Sequence, residues 1–190
     1  MHRARFLLAG NIARIGILKP GLHLRQRDGI SCGPSVAVLT AALLRPDYGA
    51  ALRGAGAAGW FDAEQLRVHR AANVAWPRRL GMTPRGLLGV INGHSLVRYR
   101  WRPCAGLIGR PEPLSDVLSA LRSGLPVPML VGSVIPRHWV LFVGIGADEH
   151  ELRCYEPTSG ATRTVDAAAV RGARLTGLGY RRPFAFVVPG

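Results

Sequence analysis

Gln26-Arg27-Asp28-Gly29-Ile30-Ser31-Cys32-Gly33-Pro34 sets a glutamine six residues ahead of a cysteine, and that cysteine heads an apolar run, Val36 to Leu44. Val36, Leu39 and Leu43 recur at helical spacing. Pro34 falls in the first turn, where its missing N–H costs nothing, so the run reads as a helix that opens at Cys32 and ends near Arg45-Pro46. A helix N-terminus carries partial positive charge and unpaired N–H groups, which favour a thiolate over a thiol and can hold an oxyanion. A glutamine folded back from the preceding loop would add a second, neutral donor through its amide NH₂. Gln26 and the Cys32 N–H are therefore the candidate oxyanion donors, and Cys32 the candidate nucleophile.

A nucleophilic sulfur needs a base and a group that orients the base. His138 begins the strand-like run His138-Trp139-Val140-Leu141-Phe142-Val143-Gly144, and Glu156 closes a second one, Glu151-Leu152-Arg153-Cys154-Tyr155-Glu156. The turn-rich loop Ile145 to His150 joins them, which predicts an antiparallel hairpin with His138 and Glu156 near the same end. A carboxylate there would accept the imidazole Nδ1–H and leave Nε2 facing the thiol.

The order Gln26, Cys32, His138, Glu156 resembles the papain-like clan of cysteine peptidases. Within it, Cys32-Gly33-Pro34, the later His-aromatic-Val strand and the acidic-Pro step are most similar to the bacteriocin-processing, double-glycine peptidases and their stand-alone relatives. The likeness runs from about residue 24 to residue 188, and its specific part is those four positions with their neighbours. It implies catalysis by Cys32, His138, Glu156 and Gln26 without cofactor or metal. The third member is usually Asp in that subfamily and Asn in papain, so Glu156 departs by a methylene; Thr158 or Ser159 just beyond is the alternative holder of the imidazole.

Composition bounds the rest. A chain of 190 residues with 48% apolar content suffices for one packed domain. No apolar run approaches the ~20 residues of a membrane helix. Met1 to Lys19 is basic and interrupted by Asn11 and Arg14, and reads as an amphipathic extension. The expected organisation is thus an extension over 1–23 and a papain-like thiol hydrolase domain over 24–190. The net charge is +14, yet Lys19 is the only lysine among 25 basic residues, a skew that coding bias explains as readily as a nucleic-acid partner. Arg98, Arg100 and Arg102 alternate with Tyr99 and Trp101, which strand alternation accounts for, arginines to water and aromatics to the core. Nucleic acid is not the expected partner; a peptide or peptide-like amide is, with room for an acidic one. Cys32, Cys104 and Cys154 have no CxxC spacing and leave one thiol unpaired, which fits a reducing, cytoplasmic setting. Asp148, Glu149, His150 and Glu151 read as a solvated turn, not a metal site.

The class expected is α+β, an N-terminal helical half carrying the nucleophile helix against a mostly antiparallel sheet. Gly49 to Gly59 reads as a mobile surface loop, Asp62 with Gln65 as a capping box opening a helix through about Val74, and Thr83-Pro84 as the start of another. Strands follow at Val97 to Trp101, Val127 to Val131, Thr162 to Val165 and Phe184 to Val188, with a helix at Leu114 to Arg122. The chemistry expected is acyl transfer through a Cys32 thioester: peptidase or amidase if water resolves it, acyltransferase or transpeptidase if an amine or thiol does. A catalytically silent papain-like module that only binds peptide is the remaining alternative.

Overall fold

The computed structural model describes residues 22–73, 77–146 and 149–190. The N-terminal extension expected over 1–23 therefore lies almost wholly outside the described residues.

Helix α1, Cys32–Leu44, is the spine of the N-terminal half. Every residue from Cys32 to Leu43 is buried, so this is an interior helix and not an amphipathic one. Its wholly buried Val36 and Leu39 contribute about 1.5–3 kcal/mol each. Around it pack α2, Ala57–Ala72, and α3, Pro84–His94, whose N-cap Thr83 accepts from the Gly86 N–H at 3.1 Å. Two expectations fail here. Gly49 to Gly59 is no mobile loop, because a 3₁₀ helix spans Tyr48–Arg53 and Gly49, Leu52 and Ala57 are buried. Gly49 lies so close to α1 that a Cβ would stand 2.8 Å from the Ala42 carbonyl oxygen, so its small size serves close approach and not looseness. Nor is Asp62 with Gln65 a capping box: α2 begins five residues earlier, and both sit within it.

The C-terminal half is a six-stranded sheet, antiparallel at every pairing. Its strands are β1 (Tyr99–Pro103), β2 (Val127–Gly132), β3 (Pro136–Ile145), β4 (Glu151–Glu156), β5 (Ala161–Asp166) and β6 (Arg182–Pro189), in the order β1-β6-β2-β3-β4-β5. Helices α4, Ser115–Arg122, and α5, Ala167–Arg171, complete the chain. The fold is α+β, with helices on both faces of the sheet. Tyr99, Trp139, Leu141, Tyr155 and Val187 meet α1–α3, whereas Met129, Val140, Phe142, Cys154 and Phe186 meet α4 and α5. The period of two along each strand assigns alternate residues to the two cores. Among the described residues no helix is long and apolar enough to cross a membrane.

The arginines of β1 depart from the simple alternation. Tyr99 is buried, but Trp101 is 49% exposed. Arg102 turns inward to Asp116 and Glu112 and lies over the Phe186 ring at 5.0 Å. At the β3–β4 hairpin tip, Glu149 is held by both ends of the Arg122 guanidinium, at 2.6 and 2.5 Å. Residue 148 of the acidic cluster falls outside the described residues.

Candidate functional site

The hairpin register, Leu141 opposite Tyr155 and Phe142 opposite Cys154, returns the chain so that the start of β3 and the end of β4 lie at the same end of the sheet. That brings His138 to Glu156, with Nε2 3.0 Å from Oε1. The ring nitrogens are used in the opposite sense to the one expected. Glu156 takes the distal Nε2–H, leaving Nδ1, near the backbone, for the Cys32 side. The reason is where the carboxylate is anchored. Glu156 folds back over its own turn, Oε1 accepting from the Thr158 N–H at 2.7 Å and Oε2 from the Ser159 N–H at 2.8 Å. Thr158 and Ser159 thus do not replace Glu156; their backbones hold it. The extra methylene is absorbed in this turn. A buried carboxylate with each oxygen bonded meets the condition that makes burial of charge tolerable.

Cys32, His138 and Glu156 are 6%, 5% and 6% exposed. Burial pushes the His138 imidazole toward neutrality, but hydrogen bonding and attraction from the Cys32 sulfur and the Glu156 carboxylate outweigh it and raise its pKa to about 9. Burial alone would raise the Glu156 pKa, and the bonds from His138, Thr158 and Ser159 instead hold it far below the ordinary carboxylate range. An imidazolium that keeps its proton through neutral pH faces the sulfur at the first turn of α1. Burial drives the thiols of Cys104 and Cys154 well above the ordinary thiol pKa, so neither competes as a nucleophile.

The turn leading into α1 is built by reciprocal bonds. The Asp28 N–H donates to Ser31 Oγ at 2.9 Å, the Ser31 hydroxyl donates to Asp28 O at 3.1 Å, and the Ile30 N–H donates to Asp28 Oδ1 at 3.1 Å. Arg78 binds the other carboxylate oxygen at 2.6 Å. Ser31 is the N-cap residue, yet its side chain makes no capping bond to the helix, so the first-turn N–H groups are not consumed by it.

Gln26 is tied to the site through its backbone: its N–H donates to Pro157 O at 2.7 Å, the residue after Glu156. Next to it the Tyr155 hydroxyl donates to Leu24 O. Gly160, at φ +68°, lets the turn approach so closely that a Cβ there would stand 2.8 Å from Arg25 N. The Gln26 Oε1 is buried with no hydrogen-bond partner among the described residues.

Four participants were not visible as such in the sequence. Tyr180 stacks on the His138 ring, centroids 5.1 Å apart and planes 13° from parallel. With Glu156, Thr158 and Arg163 it lines a cavity of about 290 Å³ beside the site. Gln65 is wholly buried and bonded to the segment around Gln26. Met82 and Trp139 wall the first turn of α1, the Trp139 indole N–H donating to Met82 O at 3.0 Å. Each is brought in by long-range packing that no local pattern encodes. The wall explains the glycine after Cys32: a Cβ at Gly33 would stand 2.6 Å from Met82 Cβ and 3.2 Å from Trp139 Cδ1. Gly33→Ala is expected to lower the urea midpoint, since overpacking of about 1–3 kcal/mol exceeds the up to about 1 kcal/mol that alanine gains in a helix.

Compared with known proteins, the chain matches no family model and no curated protein sequence.

Proposed function

We propose that the chain is a cysteine peptidase or amidase of papain-like fold, cleaving a peptide or peptide-like amide through a Cys32 acyl-enzyme. The observation that carries this reading is His138 between Cys32 and Glu156, charged up to a pKa of about 9 and locked by a carboxylate that three donors hold. A buried imidazolium is costly unless its partners are there for a purpose, and a sulfur at a helix start is the partner that chemistry would choose. The helical N-terminal half against an antiparallel sheet supports the papain-like reading.

With the proton held on His138, the Cys32 sulfur attacks the amide carbonyl as the thiolate. The tetrahedral oxyanion is taken by the Cys32 N–H and the Gln26 amide NH₂. His138 returns the proton to the leaving amine, a thioester remains, and water activated by His138 hydrolyses it to acid and free thiol. Three free thiols suit a reducing compartment, and a cytoplasmic setting belongs to the same proposal.

Iodoacetamide at about pH 6 tests the site without knowing the substrate. Cys32 should alkylate at least about tenfold faster than Cys104 and Cys154, read by peptide mass spectrometry. Equal rates at all three would leave a peptide-binding module at most. Electrophilic peptide libraries compared between wild type and Cys32→Ala then report the preferred substrate, and product masses with and without an added amine separate hydrolysis from acyl transfer.

A further inference from the structure

Resting on Cys32 as nucleophile and Gln26 as oxyanion donor, we propose that Gln65 is the positioning residue of the oxyanion site, one carboxamide that sets where Gln26 stands relative to the nucleophile helix. Gln65 Oε1 accepts from the Arg27 N–H at 2.9 Å, and its Nε2 donates to Arg25 O at 3.1 Å. These are the backbone groups on either side of Gln26. The pattern is the one by which a residue of a parallel neighbouring strand grips the residue between its two partners. On the opposite edge of the same segment the Gln26 N–H is bound to Pro157 O at 2.7 Å, so residue 26 is held from both sides.

The third bond reaches the nucleophile helix. Ser35 Oγ, one turn after Cys32, lies 2.6 Å from Gln65 Oε1 and 2.8 Å from Ser31 O, and its single proton is shared between these acceptors. The orientation of the amide follows from its partners: Arg27 N–H and Ser35 O–H need an oxygen, and Arg25 C=O needs the NH₂. Gln65 has 0% exposure, and among the described residues its side chain bonds to the Gln26 segment and to α1. An apolar residue of the same length would fill the space. It would leave Arg27 N–H and Arg25 C=O without partners and free the segment to drift, and an oxyanion donor displaced by an ångström loses most of its value.

The test uses the full chain, p-nitrophenyl acetate as acylating probe, and four proteins: wild type, Gln65→Leu, Gln26→Ala and the double variant. Gln65→Leu is expected to slow the burst of p-nitrophenolate by about 10- to 100-fold while iodoacetamide alkylation of Cys32, which forms no oxyanion, stays within about twofold of wild type. Exchange of the Arg27 amide should accelerate. In the Gln26→Ala background Gln65→Leu should cost nothing further, because the residue acts through Gln26. Ser35→Ala, which keeps both backbone bonds of Gln65 and removes only its tie to α1, should fall between, and it serves should the leucine variant not fold. Equal losses with and without Gln26, or an unchanged burst with a freely exchanging Arg27 amide, overturn the positioning role and leave the enzyme standing. A wild type that neither acylates nor alkylates preferentially at Cys32 overturns the enzymatic reading and this role with it.

Discussion

His138→Ala should reduce acylation of Cys32 by about 10⁴-fold or more, and Cys32→Ala should abolish it. The two losses have different origins that one experiment separates. Without Cys32 no acyl-enzyme forms at any pH. Without His138 the sulfur remains, but its charge partner is gone and the leaving amine receives no proton. The alanine variant should therefore acylate with an activated ester, whose p-nitrophenolate leaves unaided, far better at pH about 9 than at neutral pH, and cleave amides at neither. Both variants lose a buried polar group with its partner left behind. In His138→Ala, Glu156 still has the Thr158 and Ser159 N–H groups, so the turn after β4 should survive and the thermal midpoint should fall by a few degrees at most. A His138→Ala protein that hydrolyses amides at the wild-type rate would end the proposed mechanism.

How much of this was legible beforehand depended on range. The helix opening at Cys32, the β3–β4 hairpin and the meeting of His138 with Glu156 follow from local signals: Pro34 in a first turn, alternating apolar strands and a turn-rich connection between them. What the sequence could not carry was what approaches from afar. Gln65, read as a helix cap because aspartate stands three before it, is instead claimed by Arg25, Arg27 and Ser35. Tyr180 reaches His138 from the turn before β6 with no spacing to announce it. The Gly49 to Gly59 stretch is ambiguous for the converse reason, since small residues mark both loose loops and tight helix contacts, and only the partner, Ala42, tells them apart. The orientation of the His138 ring lies on the finest scale: it turns on which nitrogen meets a carboxylate whose place is fixed by two backbone N–H groups of its own turn.

That turn makes Glu156 the place where charge and geometry can be separated by mutation. In Glu156→Gln the amide oxygen can remain at the Oε1 position, accepting from His138 Nε2–H and Thr158 N–H, with the NH₂ turned to the Ser159 N–H; the reverse orientation would set the NH₂ against both His138 and Thr158. The first arrangement sacrifices one bond and the second two, so the imidazole keeps its orientation and the rate loss stays near 10- to 100-fold, whereas Glu156→Ala, which frees the ring, should cost about 10²–10⁴-fold. The larger signature of the glutamine variant is in pH. His138 holds its proton to about pH 9 because Cys32 and Glu156 together overcome burial. Removing the carboxylate charge lets burial regain ground, and the alkaline limb of acylation should move down by about 1–2 pH units. Stability should follow the same sign. In wild type the raised His138 pKa contributes stability that is complete below its unfolded value near 6.5 and is lost as pH rises through about 9. The depressed Glu156 pKa contributes stability present above the ordinary carboxylate range and lost as pH falls below it. Unfolding midpoints of wild type and Glu156→Gln, measured from pH 5 to 10, should therefore converge at the alkaline end, where the imidazole is neutral in both. A gap that stays constant across that range would mean that Glu156 holds the turn alone and does nothing for the charge on His138.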